Sequence, residues 1–151
     1  MESIDNNAFS GCSSLTSITI DNSVISVGSG AFKYCISLTK VNYNGTIDQW
    51  VQIKFDSIDA NPIYYAKNLY INDTLVKNAN ITTSTKINAY ALCDCDSIES
   101  ITIGKRVTSI GNGAFRECTN LKSVVIGDSV ESIGVYAFAY SNPTIYCEAT
   151  K

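Results

Sequence analysis

Histidine is absent from this 151-residue chain, and methionine, tryptophan and proline are scarce, with one, one and two residues. Without an imidazole the chain lacks the side chain that most readily exchanges protons near neutral pH and commonly ligates metals. The acids supply no substitute. Asp21, Asp48, Asp56, Asp59, Asp73 and Asp128 fall in polar, turn-like stretches that read as solvated surface, with no convergent pair among them. Cys93-Asp94-Cys95 lacks the spacing of a zinc-binding pair. These absences point away from an enzyme and imply no cofactor and no metal. The net charge is -3, the pI is near 4.8 and the basic residues are scattered. With no cationic stripe to follow a phosphate backbone, nucleic acid is excluded as a partner. No apolar run approaches the roughly 20 residues that span a bilayer, which excludes membrane insertion in this chain.

A repeat fills the space left by these exclusions. Its clearest copy runs Val107, Ile110, Gly111, Ala114, Phe115, Cys118, Leu121, Val124, Ile126, and its alanine recurs at Ala8, Ala31, Ala91, Ala114 and Ala137, in steps of 23, 60, 23 and 23 residues. A period in the twenties with apolar residues at fixed places is the pattern of a solenoid, in which each unit buries its apolar face against its neighbours. The stretch Leu15 to Ile20 ends in alternation, which predicts a strand with Ile18 and Ile20 inward and Ser17 and Thr19 outward. Val24 and Val27 read as a second short extended edge. The Ala-Phe-x-x-Cys run reads as a single helical turn that drives Phe into the core. The unit at Ala91 is the poorest copy, with Leu92 for Phe, Asn88 for Gly and Ser84 for Val. Gly28-Ser29-Gly30 and Gly111-Asn112-Gly113 lack the third glycine of a dinucleotide loop and read as turn glycines.

Cys12, Cys35, Cys95 and Cys118 each lie four residues after the repeat alanine, where the last unit has Ser141. Stacking puts them in one column, so packed free thiols are expected rather than a disulfide framework. Cys93 and Cys147 lie off the column and are the expected reactive pair. Met1-Glu2-Ser3-Ile4 has neither the basic head nor the apolar stretch of a signal peptide. Ile4 already occupies a repeat position, and neither end carries an obvious polar cap. The expectation is a piece of a longer protein, or ends that associate with one another.

The long step between Ala31 and Ala91 places an inserted subdomain at about 44–80 within one domain spanning 1–151. Thr46 and Gln49 have the spacing of a capping box, and Ile47, Trp50, Val51 and Phe55 follow at helical spacing, so a short helix begins there. Pro62 closes the loop after it. Leu69-Tyr70-Ile71 and Thr74-Leu75-Val76 flank Asn72-Asp73, a hairpin signature. The expected result is a helix and a hairpin perched on the solenoid. Asn-x-Thr triplets begin at Asn44, Asn72 and Asn80, which would be glycan acceptors in a eukaryotic secretory pathway.

The pattern from Val107 to Ile126 resembles the BspA-type bacterial leucine-rich repeat, and Tyr43-Asn44-Gly45-Thr46, Gln49-Trp50 and Leu69-Tyr70-Ile71-Asn72 resemble an insert that accompanies it. The resemblance implies a fold of class α/β, a right-handed leucine-rich-repeat solenoid of about five 23-residue coils, strand-rich. It also implies a secreted or cell-surface location and adhesion to host or cell-surface proteins.

Two surfaces are candidates for binding. One is the outward strand row, Ser17, Thr19, Lys40, Asn42, Ser100, Thr102, Ser123 and Val125. The other is the aromatic share of the insert, Trp50, Phe55, Tyr64, Tyr65 and Tyr70, since aromatics with polar tips are favoured interface anchors. For Trp50 a core position is the favoured reading, and at least one of Tyr64 and Tyr65 should be exposed. The function these features support is a non-catalytic protein-binding or adhesion module. The alternatives are a structural spacer displaying another domain, and a carbohydrate-binding module whose exposed aromatics stack on sugar rings.

Overall fold

Alternating side chains in each repeat place one apolar row inward, and short strands connected by tight turns stack these rows into a column. The structure, a computed structural model, describes residues 1–148. The first coil contains β1 (Glu2–Ile4) and β2 (Ser17–Asp21), and the second β3 (Val24–Val27) and β4 (Lys40–Asn44). There follow α1 (Ile47–Trp50), β5 (Lys54–Phe55), a 3-10 turn (Ile58–Ala60), α2 (Ile63–Ala66), β6 (Tyr70–Ile71), β7 (Thr74–Leu75) and β8 (Asn78–Ile81). The last three coils are β9 (Lys86–Ile87) with β10 (Ser100–Ile103), β11 (Ser109–Ile110) with β12 (Ser123–Ile126), and β13 (Ser132–Ile133) with β14 (Thr144–Cys147). A front face is built from sheets β2-β4-β6-β7 and β14-β12-β10-β8, a back face from β1-β3-β5 and β13-β11-β9. Every pairing is parallel except the β6–β7 hairpin.

This strand-rich parallel solenoid has six coils, one more than the repeat alanines suggest. The segment from Asn44 to Asn80 is not perched on the stack. It contains the third coil, in line with the others: β5 pairs with β3, setting Phe55 opposite Val27, and β6 pairs with β4, setting Ile71 opposite Tyr43. The Phe32 N–H donates to the Asp59 carbonyl at 3.2 Å, as the Phe9 N–H does to Ala31 at 2.7 Å. The coil is hidden in the sequence because Asp59-Ala60 stands where the other copies have Ala-Phe or, at Ala91, Ala-Leu. Trp50, Ile53, Phe55, Ile63 and Leu69 join the same continuous core as the residues of the other coils.

The helix and the hairpin form where the sequence puts them. Thr46 Oγ1 accepts from the Gln49 N–H at 3.2 Å and Gln49 Oε1 accepts from the Thr46 N–H at 3.0 Å, while Asn72 and Asp73 have φ of +48° and +64°. The helix is one turn long, so Phe55 lies in β5. Pro62 opens the additional short helix α2.

The Ala-Phe-x-x-Cys run is not a helical turn. The residue before the alanine (Asn7, Gly30, Tyr90, Gly113, Tyr136) and the residue three after it (Gly11, Tyr34, Asp94, Glu117, Tyr140) all have φ between +55° and +78°. Left-handed residues at both ends break helical progression and leave a succession of tight turns. The phenylalanines still point inward and stack from coil to coil, Phe9 on Phe32 at 5.1 Å and Phe115 on Phe138 at 5.2 Å. Each fully buried ring contributes about 1.5–3 kcal/mol.

The back face breaks between β5 and β9, and the front face breaks between the β6–β7 hairpin and β8. Helix α1 makes that joint with side chains and carbonyls. The buried Asp48 carboxylate accepts from the N–H groups of Thr82, Thr83 and Ser84 at 3.1, 2.9 and 2.8 Å. Trp50 Nε1 donates to the Ala91 carbonyl at 2.7 Å, and the Asn88 N–H donates to the Val51 carbonyl at 2.8 Å. Asp48 is therefore no surface acid, contrary to its reading as one of the turn carboxylates.

Candidate functional site

Period-two alternation brings the outward strand residues together as rows about 4.8 Å apart. On the first front sheet Ser17 stands opposite Lys40, and Thr19 opposite Asn42, which faces Tyr70. On the second, Asn78, Ser100, Ser123 and Thr144 form one row and Asn80, Thr102, Val125 and Tyr146 the next. Ser17, Thr19 and Thr102 are exposed, and Lys40, Tyr70, Ser100, Ser123 and Val125 are partly so. Lys40 Nζ lies 4.7 Å above the Tyr70 ring and 3.3 Å from Asp73. Asn42 differs from its neighbours. It is buried, accepts from the Asp73 N–H at 2.8 Å and donates to Asn44 at 3.2 Å, so it shapes the hairpin instead of meeting a partner. A cleft of about 640 Å³ opens between this hairpin and β8, lined by Ile71, Thr74, Leu75, Asn78 and Asn80 among others. The three Asn-x-Thr triplets surround it.

The aromatic candidates do not form one site. Trp50 and Phe55 are buried, with Trp50 edge-on to Tyr43 at 5.2 Å; both leave the surface. A one-turn helix between two coils has to fill the gap it spans, and an indole does so. Tyr64 and Tyr65 lie on α2, edge-to-face at 4.9 Å, both partly exposed. The Tyr65 hydroxyl accepts from the Tyr34 N–H at 2.8 Å. A backbone carbonyl fills that role elsewhere, as Lys33 does for the Gly11 N–H and Ala139 for the Glu117 N–H, both at 2.8 Å. Tyr65 is thus part of the coil-to-coil bonding.

All six thiols are free. The column has a bonding role: Cys35 Sγ donates to the Phe9 carbonyl at 3.1 Å, Cys118 to Leu92 at 3.1 Å, and Ser141 Oγ to Phe115 at 2.7 Å. Cys12, at the start of the column, is exposed like Cys147. Cys93, expected to react, is buried with its thiol on the Asp94 carboxylate at 3.1 Å, and burial followed by that carboxylate pushes its pKa far up. Burial raises Cys95 to about 11. Asp94 also receives Lys67 Nζ at 2.6 Å. Burial lowers the Lys67 pKa, but the Asp94 hydrogen bond and charge outweigh it and hold the ammonium above its ordinary value. Among the described residues no three His, Cys, Asp or Glu side chains converge as metal ligands.

One group escapes the strand-and-insert reading. Tyr90, Tyr136, Tyr140 and Arg116 line a groove of about 690 Å³ along the turns. The signal for it lay in the repeat register, where Tyr90 and Tyr136 occupy the position that other copies give to Gly or Asn.

Parallel coils with an alternating front strand, a short back strand and a turn bearing Ala-Phe define a leucine-rich-repeat solenoid. The chain belongs to the BspA type leucine rich repeat region family, matching it in six copies over residues 1–85 and 85–149. Two solved structures are similar. A leucine rich repeat protein of T. pallidum is 23% identical, with 91% of this chain and 47% of that one covered and a TM-score of 0.38. A leucine rich cell surface protein from Faecalibacterium prausnitzii A2-165 is 18% identical, with 95% and 64% covered and a TM-score of 0.39. The chain spans about half the length of the first and under two thirds of the second. No curated protein matches it.

Proposed function

We propose that this chain is a non-catalytic, protein-binding module displayed outside the cell, meeting host or cell-surface proteins through its front strands. The observation carrying this reading is the pair of in-register outward rows, Asn78-Ser100-Ser123-Thr144 and Asn80-Thr102-Val125-Tyr146. Their backbone is fixed by parallel ladders, so little order has to be acquired on binding. Small polar side chains run along both rows up to Val125 and Tyr146, an apolar and aromatic pair at the β14 edge, and aromatic residues are enriched at binding surfaces between proteins. Membership in a family of cell-surface repeat proteins supports the location. The test is binding to immobilised matrix proteins, with Thr102→Arg and Val125→Arg set beside the parent. Loss of binding by folded variants supports the strand face. Unchanged binding moves the site elsewhere, and no binding by the parent favours a spacer.

A further inference from the structure

Before the repeat alanine, the turn column carries strained tyrosines in two coils where three others have Asn or Gly. Positive φ is open to glycine and tolerated by asparagine, whereas a bulky side chain adopts it only when the surroundings impose it. Before the repeat alanine, Asn7, Gly30 and Gly113 meet this demand, but the fourth and sixth coils have Tyr90 and Tyr136. Three residues after the alanine, Gly11 and Asp94 ease the demand in two coils, while Tyr34, Glu117 and Tyr140 bear it in the others. Tyr90, Tyr136 and Tyr140 all line one groove. Strained residues of this kind gather at ligand sites. The remaining tyrosine with positive φ, Tyr34, lies outside the groove with Lys33 Nζ 5.0 Å from its ring.

The groove is built along the position before the alanine, whose residues in four successive coils are Ile58, Tyr90, Gly113 and Tyr136. A Cβ on Gly113 would come within 3.0 Å of the Tyr90 ring, so that ring lies over the glycine and the missing side chain keeps a slot open toward Tyr136. Two strand spacings carry it about 10 Å from Tyr90 to Tyr136, and Ile58 extends it across the joint. Asp56 offers carboxylate oxygens, Asn112, whose Oδ1 accepts from the Val135 N–H at 2.8 Å, offers its amide NH2, and Arg116, its Cζ 5.4 Å from the Tyr140 ring, offers donors.

We propose that this groove binds a short neutral oligosaccharide, independently of any protein bound by the strand face. Asp56 is paired with Lys54 at 3.6 Å and Arg116 with Glu117 at 3.2 Å, so the groove carries no net charge, which favours a neutral ligand. Sugar hydroxyls both donate and accept, matching a carboxylate, an amide and a guanidinium together. Exposed tyrosine faces receive the apolar C–H faces of sugar rings, while the phenol tips remain free for hydrogen bonds.

The test is saturation-transfer NMR with cellotriose, maltotriose, mannotriose and triacetylchitotriose at millimolar concentration, on the parent and on Tyr136→Gly/Tyr140→Gly. The expected result is transfer to C–H protons of at least one sugar, reduced at least tenfold in the double variant. That variant should melt no lower than the parent, because glycine relieves the strain. Tyr136→Asn, which copies Asn7, gives the same readout should the double variant fold poorly. No transfer to any of the four, transfer unchanged in a folded variant, or stronger binding of oligogalacturonate would overturn the proposal.

Discussion

Replacing Asp48 tests whether one buried carboxylate couples the two halves of the solenoid. Its Oδ1 takes three backbone N–H groups, from Thr82, Thr83 and Ser84. A hydrogen bond to a charged acceptor contributes about 1.5–3 kcal/mol, a neutral one about 0.5–1.5. Asp48→Asn keeps an oxygen at that position and removes the charge. Three donors share one atom, so the individual losses do not add fully, and the expected cost is about 2 kcal/mol. Asp48→Ala removes the acceptor itself. Ser84 is buried and cannot turn to water, whereas Thr82 and Thr83 are exposed and can; the expected cost is about 4 kcal/mol. With a urea slope near 2 kcal/mol per molar, the midpoint falls by about 1 M for the amide and about 2 M for alanine. Emission from Trp50, two residues along the same helix, reports the transition. An amide variant within about 0.5 kcal/mol of the parent, or an alanine variant no weaker than the amide, would refute the reasoning.

The thiol column predicts that Ellman's reagent labels Cys12 and Cys147 in the native protein and all six cysteines in denaturant; a third fast thiol would contradict the column. Gly111→Ala sets a Cβ 2.4 Å from the Ala89 nitrogen and should cost about 1–3 kcal/mol in a thermal melt. Gly11→Ala meets nothing within 4 Å and, from its positive φ alone, should cost about 1 kcal/mol. Lys67→Met strands the buried Asp94 carboxylate, at about 2 kcal/mol once the partial exposure of Lys67 is discounted. The raised Lys67 pKa gives stability that is complete below about pH 10.4 and lost as pH climbs through the higher folded value. Alkaline melts of the parent should show that loss and those of Lys67→Met should not.

The repeat was legible because its apolar positions are the coil contacts themselves. Phe32, Cys35, Leu38 and Val41 are buried at the places that Phe115, Cys118, Leu121 and Val124 fill in a later coil. Even the departure at Ser141 was informative, since its hydroxyl makes the bond that Cys118 makes one coil earlier. The third coil was obscured because β5 and β6 are two residues each and its turn lacks the Ala-Phe pair. Asp48 and Tyr65 were misread for another reason. Each side chain bonds a backbone N–H some thirty residues away, and such a bond leaves no local pattern. The turn geometry was marked by Asn7, Gly30 and Gly113, yet Tyr90 and Tyr136 at the same position concealed the rule. Alternation identified the strand face but could not reveal that Asn42 is occupied by the hairpin.

The enlarged third coil explains why recesses exist at all on a surface made of repeats. Identical coils stacked in register give rows, and a row has no walls. Concavity requires a coil that differs from its neighbours in length. Here the added residues interrupt both sheets at the joint, and the hairpin β6–β7 splays from β8 to leave the front cleft. On the turn side, Asp56, Ser57 and Ile58 of the same coil form one end of the tyrosine groove. The joint has lost its ladder hydrogen bonds, and the bonds of Asp48, Trp50 and Asn88 stand in their place. A nearest-neighbour stack unfolds where coupling between units is weakest, so these contacts are what allow the chain to contain an irregular coil and remain one cooperative solenoid.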